Sequence, residues 1–330
     1  MGITFSLFAV IALILVAYVG VALLGLELLF GVIVPYAAMA AFLAGLVYHV
    51  IKWARSPVPF RIPTTCGQQR SLPWINASKI DNPSTTAGVV ARMALEVLLF
   101  RSLLRNTKAE LGDGPKLAYR WEKWLWLGGL LFHWSFLVIV LRHLRFFTEP
   151  VPGFVNLLRE LDGFLRVNLQ VLYITDIVIL LAVTYLFLRR VIIPQVRYIS
   201  LPGDYFPLFL ILSIALSGIL MAYFIRVDVV AVKELAMGLV TFSPRVPEGI
   251  GVLFYIHLFL VSALLAYFPC SKLIHMVGIF LSPTRNLPND SRRRRHVNPW
   301  NYPVDVHTYE EYEDEFREKM KKADIPVERY

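Results

Sequence analysis

The sequence predicts an all-α membrane protein of six transmembrane helices, and three observations carry that prediction. Of 330 residues, 57% are hydrophobic and only 17% are charged. The mean hydropathy of +0.58 is far from the balance of a water-soluble domain. Apolar runs recur along the chain, about six of them near the roughly 20 residues that cross hydrocarbon as a helix. The basic residues behind the net charge of +9 gather in alternate loops. That is the pattern of membrane topology, so the expected partner is the lipid bilayer and no nucleic acid is expected.

The expected spans are residues 3–25, 29–53, 124–147, 168–189, 206–226 and 249–281. The first lacks a basic leader and an A-x-A-like cleavage site, so it reads as a retained helix and not a secretory signal. The last is long and contains Pro269, which predicts a kink or a protruding inner end because proline has no N–H to donate. The loop between spans two and three carries Lys52, Arg55, Arg61, Arg70, Lys79, Arg92, Arg101, Arg105, Lys108, Lys116, Arg120 and Lys123. Arg189, Arg190 and Arg197 separate spans four and five, and Arg292 to Arg295 follow span six. The positive-inside rule makes these three regions cytoplasmic, with 148–167 and 227–248 facing outward. A multi-pass protein of the cytoplasmic membrane is expected, with both termini on the cytoplasmic side. It divides into two N-terminal helices (1–53), a cytoplasmic loop (54–123), a core (124–281) and a cytoplasmic tail (282–330).

Within the loop, AGVVARMALEVLLFRSLLR (87–105) mixes apolar residues and arginines at helical intervals. It suits a helix along the inner interface, with arginines at the head groups, or equally one docked on a soluble partner. In the tail, Thr308 and Glu311 form a T-x-x-E capping box. Tyr309, Tyr312, Phe316 and Met320 then mark one helical face, which a cytoplasmic partner subunit is the natural element to receive. Two cysteines, Cys66 and Cys270, exclude a disulfide framework and any four-cysteine iron–sulfur site built by this chain alone.

The chemistry concentrates in the histidines. His296 and His307 lie in the polar tail, and His49 sits near the inner end of span two. The other four lie in or beside apolar runs: His133 and His143 in LFHWSFLVIVLRH, and His257 and His275 in HLFLVSALLAYFPCSKLIH. Span three runs outward and span six inward, so depth pairs His143 with His257 and His133 with His275. At about 1.5 Å per residue, ten residues rise ~15 Å and eighteen rise ~27 Å, and eighteen steps close five whole turns. Two stacked porphyrins clamped between the helices fit those separations. Bis-imidazole iron has no open position, which favours electron transfer over oxygen chemistry. Zinc wants four close ligands, not two distant pairs. The expectation is two haem b groups with these four histidines as axial iron ligands.

Haem propionates need cationic partners, and Arg142, Arg145, Arg190, Arg226 and Lys272 lie near helix ends; each equally suits a snorkelling interfacial charge. Asp176 lies inside span four, about two turns from its outer end. A carboxyl at that depth is either a proton acceptor for a quinol or a satisfied structural group.

These residues, together with FLRRVIIPQVR (187–197) and the LSGIL of span five, resemble the cytochrome b gamma subunit of respiratory nitrate reductase over about residues 124–281. The resemblance implies a five-helix di-haem quinol-oxidising core, with Arg190 at an inner propionate and quinol oxidised near the outer haem. The lysine that this family places near its quinol has no clear equivalent here, and Arg166 is the nearest cation. PFRIPTTCGQQRSLPW (59–74), NPWNYPVDVHTYEEYEDEF and the leading span resemble the DsrM family of DsrMKJOP complexes, whose relatives include the cytochrome b of membrane heterodisulfide reductase. That resemblance implies menaquinol as the substrate, a DsrK-like cytoplasmic iron–sulfur subunit as the electron acceptor, and DsrJ, DsrO and DsrP-like neighbours. The rival readings are a nitrate- or heterodisulfide-linked cytochrome b, and a haem-free membrane anchor or transporter whose histidines bond only within the bundle.

Overall fold

The computed structural model describes residues 2–56, 69–111, 117–167, 170–292 and 306–328, with backbone alone at 107–111, 117–121, 166–167 and 170. Cys66, His296, most of the arginine run and much of the 59–74 segment lie outside the described residues.

Helix α1, Gly2–Tyr18, ends in a π turn, Val19–Leu23. The chain reverses at Gly25, whose φ of +64 lies in the left-handed region that a side chain disfavours. A second π turn, Leu29–Ile33, then leads into α2, Val34–Ala54. Helix α3, Thr86–Leu99, starts where the Thr85 hydroxyl accepts from Gly88 N at 3.2 Å, and it stops where Phe100 turns left-handed (φ 49). A hairpin follows, β1 (Thr107–Leu111) against β2 (Leu117–Trp121), antiparallel with Thr107 opposite Trp121. Then come α4, Lys123–His143, and α5, Gly153–Asp162.

The fourth expected span begins later than its hydropathy suggests. Residues 163–173 form a second hairpin, β3 (Gly163–Val167) paired with β4 (Gln170–Tyr173), and helix α6 runs Ile174–Ile192. The sequence LRVNLQV (165–171) alternates apolar and polar residues, a strand period rather than a helical one. After α7, Pro202–Ile219, a π turn Leu220–Phe224 closes the helix, with Ile225 N donating to Leu220 O at 2.7 Å. Helix α8, Val229–Val240, lies outside the spans, and α9, Val252–Tyr267, is the last long apolar helix.

The sixth span is not one rod to residue 281. After α9 the chain tightens into a 3₁₀ turn at Phe268–Cys270, becomes extended at Ser271 (φ −125, ψ 175) and resumes as a 3₁₀ turn at Lys272–Ile274. Pro269 removes a backbone donor, and the Ser271 hydroxyl caps both sides of the break, donating to Phe268 O and accepting from Leu273 N. The expectation that His257 and His275 share one face of a continuous helix therefore fails. Gly45 of α2 presses on this break: a Cβ there would lie 2.5 Å from the Pro269 Cβ.

Five helices are long and apolar enough to cross a membrane: Gly2–Leu23, Leu29–Ala54, Lys123–Phe146, Pro202–Phe224 and Val252–Cys270. Large side chains such as Phe5, Phe8 and Leu43 stay exposed on them, as lipid-facing residues do. Helix α6 packs between α4 and α7. Three charges set it apart from the five, and each is ion-paired: Asp176 to Arg142, Arg189 to Glu122 and Arg190 to Asp204. Helix α9 packs on α1, α2 and α7. One cluster joins Val10, Ile179, Val183, Leu210, Ile211, Leu260 and Leu264, and a second joins Ala17, Val21, Phe30, Leu235 and Tyr255. The histidine-bearing helices α4 and α9 make few close backbone approaches to each other, and Phe132 and Ile139 of α4 pack against the cluster that contains Leu260 and Leu264 of α9.

On helix α3, Arg92 and Glu96 are buried, and Glu96 pairs with Arg285 at 3.1 Å, while Val90, Leu98 and Leu99 face outward. The arginines divide: Arg92 turns into the protein, and Arg101 and Arg105, partly exposed, pair with Asp81. In the tail, helix α10, Tyr309–Lys322, has the expected capping box: Thr308 Oγ1 accepts from Glu311 N, and Glu311 Oε2 accepts from Thr308 N at 2.8 Å. Tyr309 and Tyr312 are exposed on it, and Met320 is buried.

Gly45→Leu is expected to lower stability by about 1–3 kcal/mol, the usual cost of overpacking, because Pro269 is ring-locked and cannot yield. Thermal unfolding in detergent, compared with Gly45→Ala and wild type, measures it.

Candidate functional site

Each of the four histidines has its Nδ1 occupied by the protein. His133 Nδ1 lies 2.7 Å from Gly129 O and His143 Nδ1 2.7 Å from Ile139 O, each one helical turn back on α4. His275 Nδ1 lies 2.7 Å from Lys272 O, and His257 Nδ1 lies 2.9 Å from the Ser217 hydroxyl of α7. A neutral ring that donates through Nδ1 is held in one tautomer, which leaves its lone pair on Nε2. That second-shell arrangement prepares a histidine for a metal. Among the described residues no hydrogen bond takes up any of the four Nε2 atoms.

The structure also brings one pair of rings together. His133 and His275 face each other at 6.0 Å between ring centroids, 77° apart in plane. A metal bonded to one nitrogen of each ring at about 2.0 Å would set the centroids roughly 6 Å apart. His143, at the last residue of α4, and His257, in the second turn of α9, pair only by position along their helices, with no ring contact between them among the described residues. Gly218 gives His257 room, since a Cβ there would sit 3.4 Å from the ring. The donor set is two pairs of imidazoles, with no cluster of three or more metal-ligating side chains among the described residues. Two flat, bis-imidazole groups such as haems fit that set; a four-ligand metal does not.

Around the His133 pair, the Phe100 ring packs edge-on at 4.8 Å. Phe100 sits at the elbow after α3, which Trp126 and Trp134 of α4 hold by donating to Leu99 O and Leu98 O. Asp81 clamps the other side of the elbow through Arg101 and Arg105. Burial pushes the Asp81 carboxyl up, but hydrogen bonds from Arg101 and Arg105 outweigh it and hold the group below its usual range. Asp204, buried at the start of α7, accepts from Lys272 Nζ at 2.7 Å and faces Arg190 at 3.9 Å. Two of the expected propionate cations thus meet one internal carboxylate, and through Lys272 that carboxylate holds the turn bearing His275.

At the other end, Arg142 is buried and its guanidinium is committed. Nη2 lies 2.5 Å from Asp176 Oδ1, Nε lies 3.1 Å from Asp162 Oδ2, and Cζ stacks 3.8 Å over the Tyr173 ring. This differs from the expectation that Arg142 meets a propionate. Thr175 adds two donors to Asp162, from N at 2.9 Å and Oγ1 at 2.7 Å. The Tyr223 hydroxyl donates to Asp176 Oδ2 at 2.7 Å and accepts from Tyr173 N at 3.2 Å. Asp176 and Tyr223 are among the residues around an almost wholly apolar cavity of about 290 Å³, whose walls include Leu172, Ile177, Leu180, Ile219 and Phe224. Arg145 lies over Phe146, and Arg226 is exposed with no ion pair among the described residues. Arg166 falls on β3, its side chain outside the described residues. His49 lies against Trp53 and Tyr48, away from both pairs.

The sequence matches the family described as nitrate reductase gamma subunit over residues 85–287. The chain belongs to this family. The match spans α3 to the turn beyond α9 and so contains all four paired histidines and both buried ion clusters. Two relatives, from Archaeoglobus fulgidus and Archaeoglobus profundus, are each named "Hdr-like menaquinol oxidoreductase cytochrome b-like subunit". The first is 48% identical over 285 residues, covering 84% of this chain and 85% of the relative. The second is 46% identical over 273 residues, covering 81% of each. These findings support the gamma-subunit superfamily as a whole and do not single out the DsrM branch.

Sequence reasoning misses Asp162, Thr175, Tyr223, Ser217, Phe100 and Asp204. Asp162 and Asp204 are visible as lone carboxylates at the ends of apolar runs, but only folding shows which cation each one meets.

Arg142→Met is expected to destabilise the protein by about 3–5 kcal/mol, because it leaves two buried carboxylates without their cation. Asp162→Asn, which leaves one arginine with one aspartate, is expected to cost less. Unfolding in mixed detergent micelles ranks the two.

Proposed function

We propose that the chain is a di-haem b subunit that takes electrons from menaquinol and passes them across the membrane to a cytoplasmic iron–sulfur partner. The single observation that carries this reading is the set of four imidazoles on α4 and on or beyond α9, each with Nδ1 held by the protein, with His133 and His275 face to face at 6.0 Å. Family membership supports it, and so does the printed name of the two relatives, which supplies menaquinol and an Hdr-like complex. His143 and His257 would hold the outer haem, and His133 and His275 the inner one. When bound, these groups would supply one-electron transfer between the two ends of the bundle.

The remaining roles belong to the chain's own side chains. Asp176 accepts a proton from the quinol hydroxyl at the outer end, where Arg142 keeps it aimed. Arg145 and Arg226, free of carboxylate partners among the described residues, face the outer propionates, and Arg190 and Lys272 serve the inner end alongside Asp204. Arg166 belongs to the outer quinol region. Protons leave outward while electrons move inward, so turnover is electrogenic. The basic loops 54–123 and 190–201 and the tail face the cytoplasm, as the positive-inside rule requires. There the exposed Tyr309 and Tyr312 of α10 offer a surface for a DsrK-like or heterodisulfide-reductase-like iron–sulfur subunit. DsrJ, DsrO and DsrP-like subunits complete a complex of dissimilatory sulfur metabolism, in which this cytochrome is the DsrM-type member.

Redox-monitored absorption spectra of His→Ala variants test the assignment. His133→Ala and His275→Ala should each lose the same one of two haems, and His143→Ala and His257→Ala the other. An intact two-haem spectrum in any of the four variants overturns the ligand set. A pyridine haemochrome assay that finds no haem in the wild type leaves only an anchor or transporter. Haems that menaquinone analogues oxidise but menaquinol never reduces would reverse the direction.

A further inference from the structure

The mouth of the 290 Å³ cavity lies between α6 and the end of α7. Ile177, Leu181 and Phe224 line it and are themselves 50%, 66% and 74% exposed, on helix surfaces that in this family meet hydrocarbon and not water. The surface the cavity presents is almost wholly apolar; Asp176 and Tyr223 are among its lining residues, and just behind that lining the Tyr223 hydroxyl and the Asp176 carboxylate are bonded to each other at 2.7 Å. Tyr223 reaches there because α7 ends in a π turn, Leu220–Phe224. A π turn inserts one residue and rotates those after it, and such turns gather at functional sites.

The hydrogen bonds run in one direction. Tyr173 N–H donates to the Tyr223 oxygen, and the Tyr223 O–H donates to Asp176. Asp176 is anchored from behind by Arg142, which Asp162 and Thr175 hold in turn. Such a chain accepts one more hydroxyl without breaking its sense: an incoming O–H donates to Asp176, and the freed Tyr223 O–H donates to the incoming oxygen. A dihydroxylated aromatic ring has that chemistry. The cavity sits at the lower edge of the roughly 300–1,000 Å³ typical of small-ligand pockets, so it takes a ring and leaves a long chain outside in lipid.

We infer that the quinol enters sideways from the bilayer between α6 and the π-turned end of α7, and that its hydroxyl inserts between Tyr223 and Asp176. Tyr223 is then a catalytic residue, touching the substrate oxygen as the proton passes to the Asp176 carboxylate. This inference rests on the quinol-linked reading above and deepens it by naming the entry face and the second polar group.

The test uses the full chain, purified with its haems in lipid nanodiscs, and a hydroxyquinoline N-oxide as the quinol-mimicking probe, its fluorescence quenching titrated without turnover. Tyr223→Phe keeps the ring and removes the hydroxyl, and should weaken probe binding about three- to tenfold, the worth of one hydrogen bond. Leu180→Trp fills the cavity, and Leu181→Trp, at an exposed position that any fold tolerates, narrows its mouth. Both should remove saturable binding while the haem spectrum stays that of wild type. Binding unchanged in Tyr223→Phe and in both tryptophan variants overturns the inference. If menaquinol still reduces the wild-type haems in that case, the proposed function stands and only this site falls. If menaquinol does not reduce the wild-type haems, the quinol reading itself fails.

Discussion

Hydrocarbon offers no water to a polar side chain, so each charge placed inside this bundle must bring its counter-charge on another helix. That constraint organises the molecule more than apolar packing does, because lipid tails are as apolar as the side chains they would replace. Arg142 ties α4 to α5 and α6 through Asp162 and Asp176. Asp204 ties α6 and α7 to the turn beyond α9 through Arg190 and Lys272. One cluster lies at each end, and both act on α6, the helix least able to cross lipid by composition. Its charges are what fix it between α4 and α7.

The histidines obey the same constraint in a milder form. A neutral imidazole satisfies half of its needs through Nδ1, using carbonyls that helix geometry leaves within reach on α4, and a serine of α7 for His257. The other half, Nε2, is left over. On the di-haem reading proposed above, the iron would take up that second nitrogen, and stability and cofactor binding would then be linked, as they are wherever a site is absent from the unfolded chain.

Much of this was legible in the residues and some was not. The spans over α1, α2, α4 and α7 stand out because long apolar runs without charge have one physical solution. The ten-residue spacing of His133 and His143 is a true helical rise, since nothing interrupts α4. The eighteen-residue spacing of His257 and His275 is not, because Pro269 and Ser271 break the rod. The start of α6 was obscured for a related reason: Val171, Leu172 and Tyr173 are apolar enough for a span, yet they pair as a strand with 163–167. The inward face of α3 was hidden because Glu96 finds its partner, Arg285, only in the tail that folds back on it. Local periodicity reports an element; the partner of a buried charge is set by chain segments far away in sequence.

The break at Ser271 gives the two histidine pairs unequal mechanical character. His133, His143 and His257 stand on continuous helices, whose backbone bonds resist displacement along their whole length. His275 alone stands on a jointed segment, tethered at Lys272 and hinged at an extended residue. On the proposed reading, a group bridging His133 and His275 would be gripped by a rigid arm on one side and a movable finger on the other, and warming or delipidation would slacken that grip ahead of its counterpart across the bilayer.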